Sequence, residues 1–235
     1  MKEKKTIIFL NGDAADIKSV KHFYEKGDYV IAADGGANNL LNIKTGRPFI
    51  IPNIILGDLD SLKPAAKKIF KLSGVEIRKI DEQETTDFEK ALMYAIECGF
   101  RSVIVFGGVS ARPDHTLNNF SVMKRFSEVL EMRMIDKDFE IFYAKGKTEF
   151  TSRKGETVSM MGMPSAHGIS TRGLIYGLKN ETLEFGVREG TLNKSKGGKV
   201  TINYKAGDLL IFRKWKRLVL NHEINSGLVL FQDRK

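Results

Sequence analysis

Short apolar runs alternate with segments of helical periodicity over residues 1–145 of the chain. Residues 6–10, 29–33, 53–56, 75–80, 102–106 and 132–135 read as strands. Runs such as IIFL and VIVF are apolar at every position, which suits strands buried on both faces of a parallel sheet. Between them, residues 87–98 put Phe88, Ala91, Leu92, Ala95 and Ile96 on one helical stripe, with Gly99 as the stop. A second helix is expected from about His115 to Glu131. This alternation predicts an α/β fold, a mostly parallel sheet with helices on both faces.

After Lys145 the rhythm changes. Glycines from Gly155 to Gly207 punctuate short alternating runs, and residues 157–161, 183–187, 199–204, 208–212 and 228–231 read as strands joined by turns. That pattern predicts an antiparallel β-sandwich. The boundary is placed at 144–148, giving an α/β domain over residues 1–146 and an all-β domain over 147–235. Neither a low-complexity linker nor an internal repeat separates them.

Composition narrows the class. At 235 residues, 42% hydrophobic and 29% charged, the chain resembles an ordinary globular protein able to bury a core. A lone Cys98 excludes an internal disulfide and fits a reducing compartment. The apolar run after MKEKK is too short to span a membrane and no small-residue cleavage site follows it. A cytoplasmic protein without a membrane partner is expected. The net charge of +9 raises nucleic acid as a partner. It resides almost wholly after residue 150, where 15 Lys+Arg face 7 Asp+Glu, against 23 and 22 before. These cations are spread through turns and strands without closely spaced aromatics for bases to stack on, so a solvated basic face is expected and no nucleic acid.

Ligands of open parallel sheets bind beyond the carboxyl ends of the strands. Four unusual segments stand there: Asn11-Gly12-Asp13, then Asp34-Gly35-Gly36-Ala37-Asn38, then Gly57-Asp58-Leu59-Asp60-Ser61, then Gly107-Gly108 through Arg112-Pro113-Asp114-His115. Asp58 and Asp60 are two residues apart, so extended backbone points both carboxylates to one side. Their repulsion calls for a cation, and magnesium suits carboxylates combined with phosphate oxygens. The alternative is a turn whose aspartates cap the next helix. Asp87, a capping or first-turn residue of the 87–98 helix, brings a third carboxylate to the same crevice. Gly35-Gly36 and Gly107-Gly108 allow backbone to approach a ligand, and the helix starts after them offer N–H groups to phosphate. Neither pair fits GxxxxGK[ST] or GxGxxG. Arg112 has the fork to hold a phosphate; Lys90, one turn into the helix, reads either as a phosphate contact or as a surface residue. His115 reads as a hydrogen-bonding partner of Asp114. No zinc-type Cys/His spacing and no nucleophile elbow occurs.

In order, these segments resemble the thiamine pyrophosphokinase family. The likeness runs through Ala33–Asn38, Gly57–Ser61, Thr86-Asp87-Phe88 with Lys90-Ala91-Leu92, and Gly107-Gly108 followed by Arg112–Leu117. It continues through Thr171–Leu178 and Gly190–Asn193. The resemblance implies a catalytic α/β domain that binds ATP and Mg2+, a thiamine-binding β-sandwich, and a homodimer. It implies attack of the thiamine hydroxyl on the β-phosphorus of ATP, giving thiamine diphosphate and AMP. Asp58, Asp60 and Asp87 would hold the metal, with Asp34 lining the same site, and an aspartate would accept the hydroxyl proton. Arg112 and Asp114 would serve the reaction, and Gln83, Lys90, Gly35, Gly36, Gly107, Gly108 and His115 would surround the nucleotide. Thr191 and Asn193 would contact the vitamin. The family's Thr-Ser-Asn reads Thr191-Leu192-Asn193 here, and Lys194-Ser195-Lys196 follows where a stacking aromatic is expected. Those departures keep two other readings open: a diphosphokinase for another small alcohol, of pterin type, and a nucleotide- or thiamine diphosphate-binding regulator without turnover.

Overall fold

A computed structural model describes residues 5–13, 17–41, 45–110 and 112–215. The strand expected at 228–231 lies outside them. The chain divides into two compact units, Met1–Lys137 and Asp138–Lys235.

The first unit is built on six parallel strands: β1 (Thr6–Phe9), β2 (Tyr29–Ala33), β3 (Ile54–Gly57), β4 (Glu76–Lys79), β5 (Ser102–Phe106) and β6 (Glu131–Ile135). They lie in the order β4-β3-β2-β1-β5-β6. β1 pairs with β2 on one side and β5 on the other, so the direction of winding reverses across it. The crevice at such a reversal, beyond the carboxyl ends, is where this architecture leaves room for a ligand. Register aligns those ends: Phe9 lies opposite Ala32 and Phe106, and Ala33 opposite Leu56. The wholly apolar sequences of β1, β3 and β5 are explained by burial, with Ile7, Ile8, Ile54, Ile55, Leu56, Val103 and Val105 all but inaccessible. Each contributes about 1.5–3 kcal/mol of transfer free energy.

Among the described residues four α-helices belong to this unit: α1 (Ile17–Phe23), α2 (Pro64–Leu72), α3 (Asp87–Glu97) and α4 (Pro113–Phe126). A 3-10 helix, Asp34–Leu40, follows β2 directly. α3 packs on β2 and β3 through Phe88, Ala91, Leu92 and Ala95 and meets α4, where Arg125 pairs with Glu89 at 2.7 Å. α4 starts at Pro113, two residues before the expected His115, because proline is suited to the first helical turn, where no backbone donor is needed.

The second unit is antiparallel throughout. Its strands are β7 (Phe139–Tyr143), β8 (Lys147–Ser152), β9 (Thr157–Arg172), β10 (Glu181–Glu184), β11 (Gly190–Lys194), β12 (Gly198–Asn203) and β13 (Ala206–Lys214). β9 is the spine, pairing with β10, β11, β12 and β13 at different points along its length. Val158, Met160, Ala166, Ile169, Leu183, Val200, Ile202, Leu209 and Ile211 form its core. The two compact units divide at Lys137/Asp138. The reason is β7, whose partner is β13 at the far end of the chain.

Candidate functional site

Beyond the carboxyl ends of β1, β2, β3 and β5 lies a cleft of about 670 Å³. Leu10–Asp13, Ala33, Asp34, Asp58, Asp60, Ser61, Thr86–Phe88, Gly107, Ser110, Arg112, His115, Asn118 and Asn119 line it. All four segments picked from sequence supply a carboxylate or guanidinium, and α3 adds Asp87.

Asp34 leaves β2 with φ 44°, in the left-handed region that aspartate tolerates better than most side chains. That turn buries its carboxylate to 3% exposure. Oδ2 accepts the Ser61 N–H at 3.2 Å, whereas the buried Oδ1 has no hydrogen-bond partner. An orphaned buried carboxylate oxygen is costly unless something positive meets it. Asp58 Oδ1 accepts the Asp60 N–H at 3.2 Å, and Asp87 Oδ1 accepts the Asp58 N–H at 3.3 Å. Asp34, Asp58 and Asp87 each offer an oxygen within 4.8 Å of the others, a spacing that suits one cation shared by three carboxylates. Asp60 faces the same cleft, but its Oδ1 accepts the Ser61 hydroxyl at 2.9 Å, and it stands outside this trio.

Electrostatics agree with a cation's place. Burial raises the pKa of Asp34, opposed by hydrogen bonds from Gly35 and Ser61 and helped by the Asp60 charge. Burial also raises that of Asp87, and the Asp58 charge adds to it, while the Lys90 ammonium opposes both. Groups so placed gain most from a bound divalent ion, which favours their charged forms.

Side-chain amides hold the strand-end loops, and Asn38 holds the loop Gly57–Ser61. Asn38 gives its Nδ2 proton to the Ser61 carbonyl and accepts the Lys63 N–H, at 2.9 and 3.0 Å. Asn39 donates to the Leu10 and Gly12 carbonyls, and Asn119 to that of Gly108. Their only signal in sequence is position, just after a strand end or inside α4. Gly57 must be glycine: its φ is 143°, and a Cβ there would sit 2.7 Å from Asp87 Oδ1.

Comparison with known proteins settles the family. A family profile described as "Thiamin pyrophosphokinase, catalytic domain" matches residues 20–135. Thiamine pyrophosphokinase 2 of Oryza sativa subsp. japonica is 30% identical over 203 residues, covering 77% of this chain and 75% of its own. The chain belongs to the thiamine pyrophosphokinase family. Thiamin pyrophosphokinase 1 of Caenorhabditis elegans is 27% identical over 218 residues, covering 87% and 86%. In fold, the thiamine pyrophosphokinase of Bacillus subtilis superposes with a TM-score of 0.77 at 22% identity, over 90% of this chain and 99% of its own. The yeast thiamin pyrophosphokinase gives 0.77 at 19% identity, over 91% and 87%.

Some residues expected around a nucleotide stand elsewhere. Gly35 and Gly36 pack against the Asn11 side chain and the Phe9 carbonyl, and Gly108 against Met134, so these glycines admit neighbouring chain and do not line the cleft. Gln83 is exposed, its amide 3.4 Å from the Asp81 carbonyl, and Lys90 is buried off the cleft wall. Asp87 is a first-turn residue; the cap is Thr86, in a reciprocal capping box with Glu89. Arg112 lines the cleft while holding Asp114 through Nε and Nη2 at 3.2 and 2.6 Å. That pairing lowers the Asp114 pKa to about 2. His115 Nε2 is 4.0 Å from Asp114, so the close side-chain contact of Asp114 is with Arg112. In the second unit Thr191 is exposed, and the buried Asn193 is spent on backbone, accepting the Tyr176 N–H at 3.1 Å and donating to its carbonyl at 2.6 Å.

Proposed function

We propose that this protein transfers the pyrophosphoryl group of ATP to the hydroxyl of thiamine, releasing AMP and thiamine diphosphate. The observation that carries this is the Asp34–Asp58–Asp87 trio, with its orphaned buried oxygen, in a cleft that Arg112 also lines. Family membership directs the chemistry to thiamine.

Asp34, Asp58 and Asp87 would hold Mg2+, with Asp60 beside them. Bound there, the ion neutralises phosphate charge and fixes the orientation of the triphosphate. In transfer the thiamine oxygen bonds to the β-phosphorus, the bridge to the α-phosphate breaks, and AMP leaves with that bridging oxygen. The hydroxyl proton goes to a carboxylate of the cleft. Arg112 exchanges Asp114 for phosphate oxygens and offsets charge on the transferred group. Gly107 and Ser110 lend the cleft wall near it.

Thr191 and Asn193 belong to the vitamin's side of the site in this reading, with Asn193 acting through the Tyr176 loop that it fixes. The second unit, residues 147–235 in particular, serves thiamine, and two chains form a homodimer. A cytoplasmic location is supported by the free Cys98. Among the described residues no helix is long and apolar enough to cross a membrane.

The test is direct. Incubated with ATP, Mg2+ and thiamine, the protein should yield AMP and thiamine diphosphate in equal amounts. Failure to form either, with AMP appearing only on addition of a pterin alcohol, would overturn the choice of acceptor.

A further inference from the structure

Lys90 lies on α3 one turn beyond Asp87, and its side chain is 3% exposed. Lysine is seldom buried to this degree without a partner. Its Nζ is 3.5 Å from Asp87 Oδ1, the same oxygen that accepts the Asp58 N–H. A lysine that grips a phosphate needs its ammonium at the cleft wall, and Lys90 is not on that wall. What it does meet is Asp87, one member of the carboxylate trio. Ionised, Asp34, Asp58 and Asp87 carry three negative charges. One buried ammonium leaves two, the charge that a single divalent cation cancels.

We propose that Lys90 is a built-in counter-charge of the Asp34–Asp58–Asp87 group, which lets the empty trio persist and limits it to one divalent cation. The inference rests on reading that trio as a cation site. Its physical basis is that opposite charges in a partly desolvated place interact strongly, whereas a surface pair is nearly neutral in effect. Because Asp87 Oδ1 is occupied by Lys90 and the Asp58 N–H, the ligand role falls to Oδ2. Lys90 therefore repels the incoming cation while it stabilises the site without one. Removing the ammonium should shift both terms together: the empty protein loses stability, and the cation binds more tightly.

The experiment uses Mn2+ alone, without nucleotide, on the full chain. Free Mn2+ is followed by electron paramagnetic resonance in the wild type, Lys90→Met, Lys90→Arg and, as a control, Asp58→Asn. The wild type should bind one ion that Asp58→Asn loses. Lys90→Met should bind at least about fivefold more tightly, or take a second ion, and Lys90→Arg should stay within about twofold of wild type. In melting curves Lys90→Met should start lower than wild type and gain more from Mn2+. A Lys90→Met chain that folds only on Mn2+ addition also supports the proposal. If Mn2+ does not rescue it, Lys90→Gln is measured in the same way. Unchanged or weaker binding in the folded variant overturns the counter-charge role. Equal uptake by wild type and Asp58→Asn would instead remove the cation site itself, whatever the Lys90 variants do.

Discussion

Each aspartate of the trio divides its two oxygens between tasks. One oxygen of Asp34, Asp58 and Asp87 takes a backbone N–H, from Ser61, Asp60 and Asp58 respectively. The other is left to face a ligand. An amide in place of the carboxylate keeps the first task and loses the second. Asp58→Asn and Asp87→Asn should therefore cut the rate of AMP release by about 100-fold or more. Asp58→Asn should melt at or above the wild-type temperature in metal-free buffer, because an amide oxygen still accepts the N–H and no longer repels its neighbours. Asp87→Asn should melt lower, because it leaves the buried Lys90 without its anion. Near-normal turnover in either would remove that residue from the site.

At the scale of elements, the start of α3 holds Asp87 in place. Thr86 Oγ1 accepts the Glu89 N–H, and Glu89 Oε2 takes both the Thr86 N–H and the Thr86 hydroxyl, at 3.3, 3.0 and 2.9 Å. Arg125 reaches over from α4 to the same glutamate. Burial pushes the Glu89 pKa up, but the Thr86 bonds and Arg125 outweigh it and hold the pKa below its ordinary value. A pKa lower in the folded than in the unfolded chain means that this contribution is complete above the unfolded value, about 4.3, and fades as pH falls through the folded one. Glu89→Gln should cost about 1 kcal/mol near neutral pH and flatten the loss of stability on acidification. Equal acid sensitivity in the two proteins, measured by denaturant unfolding across that range, would discard the role.

How much of this was legible in the chain depends on what each residue touches. β1, β3 and β5 declare themselves, because burial on both faces leaves only apolar positions. β9 does not: Gly162, Pro164 and Gly168 look like breaks, yet the strand runs on because β13 pairs along it from Val158 to His167 while its other partners change from β11 to β10. α2 was missed because PAAKKIFKL buries only Ala66 and Phe70. Asp34, Asp58 and Asp87 stand out as candidates because position at a strand end restricts where a carboxylate can go. Gly35, Gly36 and Gly108 pack against neighbouring chain, and only tertiary packing decides whether a glycine makes room for a ligand or for another stretch of chain.

For the whole molecule, the second unit carries large apolar side chains in water: Tyr176 is 70% exposed, Leu192 73% and Val187 75%. Leu192 also holds φ 58°, a conformation that leucine rarely adopts. Singly exposed apolar residues are ordinary, but Asn193 ties Tyr176 beside the Leu192 strand, so these two share one surface. A second chain covering that surface agrees with the proposed homodimer. Light scattering at micromolar concentration should then give twice the 26.4 kDa of one chain. A single-chain mass would refute the dimer.

The tie between Gly57–Ser61 and its surroundings bears on how such a protein can drift over generations. Within these five residues, three N–H donors, those of Asp58, Asp60 and Ser61, are read against carboxylates just after β2, in the loop itself and in α3. Substitution at an outward side chain leaves that reading intact. Gain or loss of one residue would shift the donors by a full peptide and dismantle every match together. The length of this loop is thus inherited as strictly as any of its letters.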